Sequence, residues 1–395
     1  MKRREWLSLF STATGAALLG AHAPGWAQAV AQQAGSARGR ILILVELKGG
    51  NDGLNTVVPY TDPAYYQLRH SIAIKPAEVI RLDERTGLHP DLKALQPLWD
   101  GGQLAIVQGV GYPQPNLSHF RSIEIWETSS KANEYLADGW VTRAMRAGLA
   151  GQAAFTAEGV LIGSNEFGPL AGARAVTLNN PESFVNQARF AMPAQAAGNP
   201  ALQHVLRVEN DVSVAAAGLR GEKYNFTTAF PQGQFGNAVR AACQVVASQR
   251  GKAGVPVITL TLGSFDTHQN QLGQHAGLMR QLGEGLAALK GGLSELGAWD
   301  QTMVMTFSEF GRRARQNNSN GTDHGTAAPH FIAGGAVKGG LYGQAPDLTR
   351  LDATQNVAWS TDFRQLYATV ARDWWGVNPE AVVRGRFEPV GFLRA

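Results

Sequence analysis

Four short apolar runs constrain the fold of this chain more than any other feature in it. They are Ile41–Leu47, Leu104–Val110, Val257–Leu262 and Thr302–Phe307, each rich in Val, Ile, Leu or Met. None alternates strictly between apolar and polar residues. Each therefore reads as a strand buried on both faces, as in a parallel sheet covered by helices. Helical patterns lie between them: Leu88–Trp99, residues 119–130, and Leu272–Leu296 with Leu278, Leu282, Leu286, Leu289 and Leu293 at helical spacing. A C-terminal helix follows, with Ser360 or Thr361 expected as its N-cap. This alternation predicts an α/β fold, a mainly parallel sheet flanked by helices. Residues 186–255 have helical patterns broken by Gly and Pro and read as a helical insertion or cap.

The N-terminus predicts where the chain acts. Arg3 and Arg4 open a basic segment, a weakly apolar stretch runs from Leu9 to Leu19, and Ala27-Gln28-Ala29 gives a small-x-small cleavage pattern. The three parts in this order read as a twin-arginine export signal over residues 1–29, which implies a periplasmic or secreted protein. Residues 30–39 read as a polar, disordered leader, and 40–395 as the folded domain. The formal charge is +4, and cleavage would remove Lys2, Arg3, Arg4 and Glu5 to leave +2. So balanced a chain argues against a nucleic-acid partner, which needs a basic stripe. The single cysteine, Cys243, excludes an intramolecular disulfide and a Cys-based zinc site; its apolar helical surroundings read as core. No later stretch is long and apolar enough to predict a membrane span in the mature chain.

Reactive residue types collect where the predicted strands end. Strand 41–47 is followed by Lys48-Gly49-Gly50-Asn51-Asp52-Gly53, strand 104–110 by a Pro/Gly turn and Ser118-His119-Phe120-Arg121, and strand 257–262 by Phe265-Asp266-Thr267-His268. Strand 302–307 is followed by Ser308-Glu309, then by Gly321-Thr322-Asp323-His324-Gly325 and His330. Open α/β sheets place ligands at the carboxyl ends of their strands. Asp266 and His268 are two apart, so in an extended segment both can face one side. For Asp52 the alternatives are a metal ligand or a member of a tight turn; for Ser118 they are a nucleophile or a helix N-cap. Oxygen and imidazole donors together suit a divalent ion: Zn, Mn, Mg or Ca. Two such ions ~3.5–4 Å apart could clamp a phosphate or sulfate ester, with the nucleophile at a helix N-terminus beside the anion. There is no Gly-x-Ser-x-Gly elbow, P-loop, His-Glu-x-x-His or dinucleotide-binding glycine motif.

The twin-arginine leader resembles that of a known exported bacterial family, as do Leu-Lys-Gly-Gly-Asn-Asp-Gly-Leu-Asn, Ser-His-Phe-Arg-Ser, Phe-Asp-Thr-His-Gln-Asn-Gln, Ser-Glu-Phe-Gly-Arg-Arg, Gly-Thr-Asp-His-Gly and Ser-Thr-Asp-Phe-Arg-Gln-Leu-Tyr. It is the domain-of-unknown-function 1501 family, placed in the alkaline phosphatase-like superfamily with sulfatases and cofactor-independent phosphoglycerate mutases. The resemblance implies an α/β sheet with two metal ions at its crest. It implies Ser118 at the nucleophile position, with His119 beside it as a second candidate catalytic residue. It also implies metal ligands at Asp52, Asp266, His268, Asp323, His324 and His330. Glu309 stands directly after a strand, where the superfamily has its Asp-His pair, and is a further candidate ligand. The implied activity is metal-dependent hydrolysis of phosphate or sulfate esters; the alternative is a non-catalytic exported binding protein. An implied partner is a protein of the domain-of-unknown-function 1800 family, whose genes often neighbour those of this one.

Overall fold

The computed structural model describes residues 39–149, 155–178, 203, 214–217, 223–250 and 254–394. The expected export signal, most of the leader and much of the expected 186–255 insertion lie outside the described residues. The strands are β1 (Ile41–Leu47), β2 (Val57–Val58), β3 (Ile80–Arg81), β4 (Gly87–Leu88), β5 (Leu104–Gly111), β6 (Gly159–Ile162), β7 (Ala175–Leu178), β8 (Val257–Leu262), β9 (Thr302–Phe307), β10 (Ala328–Gly334), β11 (Gly340–Gly343) and β12 (Thr361–Asp362). The main sheet runs β11-β5-β10-β9-β1-β8-β6-β7, with β12 also paired to β5. Strand β10 is antiparallel to both its neighbours, and the other pairings are parallel. β2, β4 and β3 form a separate small antiparallel sheet.

The four expected strands are β1, β5, β8 and β9. β1 shows why continuous apolar runs were needed. Ile43, Val45 and Leu47 face one apolar layer, built with Val239, Leu278 and Leu286. Leu42 and Leu44 face the other, with Ile125, Trp126, Trp140 and Tyr367. Period-2 side-chain alternation in a sheet covered on both sides leaves no position for solvent. The first layer includes α2 (Gln234–Ser248) and α3 (Gln271–Glu295); the second includes α1 (His119–Thr128) and α4 (Phe363–Thr369). Cys243 is fully buried on α2, and burial pushes its thiol up to about 12.

Two local expectations are corrected. Leu88–Trp99 is not one helix: Leu88 ends β4, Pro90–Leu95 is a 3-10 turn, and only Gln96–Asp100 is α-helical. Pro90 holds His89 extended and starts the 3-10 turn, whereas Pro97 falls in the first turn of the α-helix, where its missing N–H costs nothing and Gln96 before it stays helical. The N-cap of α4 is Asp362, in a capping box with Gln365. Ser360 and Thr361 cannot cap because Thr361 is still extended in β12, paired with Val110. No helix among the described residues is long and apolar enough to cross a membrane.

Candidate metal centre

Three loops are drawn together at the carboxyl edge of β1, β8 and β9. Lys48 N–H donates to Leu262 C=O (3.0 Å) and Phe265 N–H to Lys48 C=O (3.1 Å), which zips the ends of β1 and β8. Gly49, at φ +119°, completes this approach. A Cβ there would sit 2.5 Å from the backbone nitrogen of Asp266, so only glycine lets the two loops touch. Arg312, 1 % exposed, ties the remaining segments together. Its guanidinium donates to the carbonyls of Gly49, Gly50 (2.8 Å), Phe265 (3.1 Å) and Thr322 (2.9 Å), and to Asp266 Oδ1 (2.5 Å). A planar, permanently charged fork can satisfy this many fixed acceptors, where lysine could not.

Three imidazoles then converge on Asp266. His268 Nε2 lies 2.9 Å and His324 Nε2 3.2 Å from Oδ1, and those two ring nitrogens are 3.1 Å apart. His119 Nε2 lies 3.5 Å from Oδ2; it is buried and makes no hydrogen bond. The opposite nitrogen of each ring faces an acceptor: His119 Nδ1 meets Glu309 Oε1 (2.8 Å), His324 Nδ1 meets Leu117 C=O (2.8 Å), and His268 Nδ1 lies 3.4 Å from Asp323 Oδ1. A carbonyl or carboxylate can only accept, so Nδ1 of His324 and His119 carries the proton. In the neutral ring Nε2 is then a lone pair. Lone pairs facing a carboxylate repel unless a cation sits among them or the rings take a second proton. Ligating histidines are held through their other nitrogen in this way. A tetrahedral ion with bonds of about 2.0–2.1 Å holds its donors ~3.3 Å apart; the four separations above are 2.9–3.5 Å, and the donor atoms of His119, Asp266 and His324 all lie within 4.8 Å of one another. The donor set therefore fits a divalent ion.

The electrostatics of the cluster follow from the same contacts. Burial pushes the Asp266 carboxyl up, but the Arg312 guanidinium and the His268 and His119 rings hold it below the usual carboxylate range. The hydrogen bond to Glu309 raises His119, partial burial lowers His324, and the Asn317 amide holds Asp323 down. Phe310, buried, packs its ring 4.9 Å from His119 and 4.7 Å from His324, wedging both imidazoles in place.

The expected site residues divide into those at the cluster and those turned elsewhere. Asp266, His268 and His324 share it, with Asp323 and Glu309 one contact behind. His119, read as catalytic, contributes a donor nitrogen instead. Asp52 does not join them: its side chain is fully buried, pairs with Arg69 (2.5 Å) and accepts from Gln271. His330 is buried in β10 against the Trp126 ring (5.0 Å), and neither of its nitrogens has a partner. Burial pushes it down to about 3, so it is a neutral core group. With Asp52 and His330 directed elsewhere, the described residues assemble one such donor group, His119, Asp266 and His324, which His268 adjoins, and not a two-ion clamp. Ser118 is the N-cap residue of α1 by position, but its hydroxyl makes no capping hydrogen bond. It stands between His119 and the Leu117 carbonyl that holds His324.

Arg312, Phe310 and the Leu117 carbonyl were not anticipated. The Arg-Arg pair after Glu309 was the only sequence signal for the first, and a backbone carbonyl leaves none. Glu46 was also passed over. Buried near the end of β1, it accepts from Thr261 (3.0 Å), and burial pushes its carboxyl up to about 7.

Fold and site together define an α/β protein with a histidine-carboxylate cluster at the carboxyl edge of a mainly parallel sheet. Residues 174–386, more than half of the chain, match the family described as "Protein of unknown function (DUF1501)", and the chain belongs to that family. No curated protein matches the chain in sequence. Among solved structures it is similar to Ps i-CgsB (11% identity, TM-score 0.44, covering 88% of this chain and 75% of that one). It is similar also to the PsFucS1 sulfatase from Pseudoalteromonas sp. (11%, TM-score 0.42, 92% and 72%). A third is an alkaline phosphatase from the Antarctic bacterium TAB5 (9%, TM-score 0.32, 77% and 94%). At such TM-scores and identities these likenesses say nothing of this chain's chemistry, which rests on its own residues.

Proposed function

We propose that this protein is exported and hydrolyses phosphate or sulfate esters at a single-ion centre formed by His119, Asp266, His268 and His324. The observation that carries the reading is the convergence of three Nε2 atoms on one carboxylate, with the opposite nitrogens facing acceptors. A divalent ion held there would supply Lewis-acid polarisation of the ester and stabilise the charge that develops on it. The chain's own groups supply the rest. The first N–H groups of α1 are free to hold the ester's anionic oxygens. Ser118, whose hydroxyl makes no capping bond, would be the attacking group. Asp323 and Glu309 hold rings in their ligating tautomers. The withdrawal of Asp52 from the crest favours a second reading, a binding protein without turnover, in which a protein of the domain-of-unknown-function 1800 family is the proposed partner. Turnover of 4-nitrophenyl phosphate and sulfate by the zinc-loaded protein separates the two.

Two outcomes are expected. Ser118→Ala should abolish turnover while leaving zinc content unchanged and stability within about 0.5 kcal/mol, because no capping bond is lost. Wild-type turnover in that variant would remove Ser118 as nucleophile. Arg3→Lys with Arg4→Lys should leave the precursor in the cytoplasm, since the export receptor reads the guanidinium pair rather than charge alone. Cell fractionation checks this, and normal export of the double variant would refute the twin-arginine route.

A further inference from the structure

We propose that Lys48 is a pH-operated latch between an outer and an inner set of carboxyls. Paired with Glu166, it ties the loop after β6 to the end of β1. When the inner carboxyls of Glu46 and Glu127 ionise, it turns to them and frees that loop. Glu46 is 6% exposed, and the two oxygens of its carboxyl are unlike: Oε2 accepts from Thr261 (3.0 Å), whereas Oε1 is buried without a hydrogen bond. β1 turns Glu46 to the same side of the sheet as Leu42 and Leu44, the side that α1 covers. Glu127 stands on α1 and feels the charge of Glu46; no hydrogen bond or ion pair holds it among the described residues. The loop after β6 packs directly on Glu127: a Cβ on Gly168 would sit 2.5 Å from its Oε1. Two residues earlier in that loop, Glu166 pairs with Lys48 (2.6 Å) near the surface.

Lys48 is the cation whose charge all three glutamates share. Its ammonium is engaged by the outermost of them, so the two inner carboxyls keep their protons, because an unpaired buried carboxylate is costly. Burial pushes Glu46 up to about 7; Lys48 and the Thr261 bond oppose this, and the charges of Glu309 and Glu166 add to it. Burial pushes Glu127 up to about 8, with Glu46, Glu166 and Glu124 adding to it and Lys48 opposing it. Tyr367, buried on α4, feels the same Glu127 charge. Once the inner pair ionises, it attracts the ammonium more strongly than Glu166 does, since attraction grows where water is excluded. A flexible four-carbon stem lets the ammonium change partners. The Lys48 backbone stays in place through its bonds to Leu262 and Phe265. Segment 163–168 begins and ends on glycines at φ +84° and +48°, which lets it move at both ends after Glu166 is released.

The test is hydrogen exchange of the full-length protein, read by mass spectrometry between pH 6 and pH 9 with rates corrected for base catalysis. Exchange in residues 164–168 should be ~5-fold faster at pH 9 than at pH 6, the scale of one exposed ion pair. Glu46→Gln with Glu127→Gln keeps the inner pair uncharged, so the loop should stay protected at pH 9. Glu166→Gln removes the outer partner, so exchange should be fast already at pH 6 and should no longer change with pH. Stability moves with the same groups. Both folded values lie above the unfolded value of about 4.3. Their contribution is therefore full below that value and is lost as pH rises through about 7 and about 8. The Tm of wild type should fall between pH 5 and pH 9 by more than that of the double variant. Circular dichroism checks that each variant folds, and Glu166→Gln decides alone if the double variant does not. Loop exchange independent of pH in wild type, or a wild-type pH response in either variant, would overturn the latch.

Discussion

Asp266→Ala should strip the protein of its ion. All three ring nitrogens converge on this one carboxylate, within 2.9–3.5 Å. Removing it takes away a donor and the charge that assembles the others. Loss of an outer contact to a ligand typically lowers metal affinity ~10–100-fold, and loss of a direct ligand should cost at least that much. Wild-type protein dialysed against zinc should hold close to one ion per chain, and Asp266→Ala almost none. His324→Ala should behave alike, whereas His330→Phe should keep its ion because His330 lies in the core against Trp126. Elemental analysis and zinc titration check these values, with circular dichroism confirming that the variants fold. Equal zinc affinity in wild type and Asp266→Ala would eliminate the centre.

Arg69→Met should be among the most destabilising single substitutions in the chain, at ~3–5 kcal/mol, because it strands the Asp52 carboxylate in the interior. Both side chains are fully buried. Arg69 also donates to Ala314 C=O (2.9 Å), Arg313 C=O (2.9 Å) and Asn55 Oδ1 (2.8 Å), so it joins the Gly-Gly-Asn-Asp-Gly turn to the loop after β9. The double variant Asp52→Leu with Arg69→Met should recover much of the loss, since a charge-free pair leaves nothing unpaired. Burial pushes the Asp52 carboxyl up, but the charge and hydrogen bond of Arg69 outweigh it and depress the folded value. The sign of the pH effect follows. The stabilisation is present above the unfolded pKa of about 3.9 and is lost as pH falls through the folded value. Urea denaturation between about pH 6 and pH 2 should therefore show an acid-side loss in wild type that is smaller in the double variant. An Arg69→Met protein as stable as wild type would show the pair to be incidental, and loss of zinc from it without unfolding would return Asp52 to the metal site.

The legible parts of this protein were those governed by local physics. β1, β5, β8 and β9 stood out because a strand covered on both faces must be largely apolar, and Leu42–Val45 with Leu47 meet that demand on both sides of the sheet, Glu46 being the one polar member. β10 was illegible for the opposite reason. Ala-Pro-His-Phe-Ile-Ala-Gly carries a proline and a histidine at its second and third positions, and antiparallel pairing to β5 and β9 gathers it into the sheet. The family resemblance places His330 at the crest, but β10 carries it into the core against Trp126. Asp323, His324, Asp266 and His268 were placed at one edge because side chains that end parallel strands must emerge together.

What the sequence determined by itself was the set of donors and the edge that carries them, because strand periodicity and chain order decide which loops share an end of the sheet. It did not determine which donors meet. Asp52 and Glu309 follow strands in the same way, yet one pairs with Arg69 in the interior and the other steadies His119. Only the tertiary structure separates them, through Gly49 at φ +119° pressed against Asp266 and Arg312 binding loops from distant parts of the chain. A carboxylate's role is set by the nearest opposite charge and the water left around it. Both are properties of packing between residues far apart in sequence, so no local pattern encodes them.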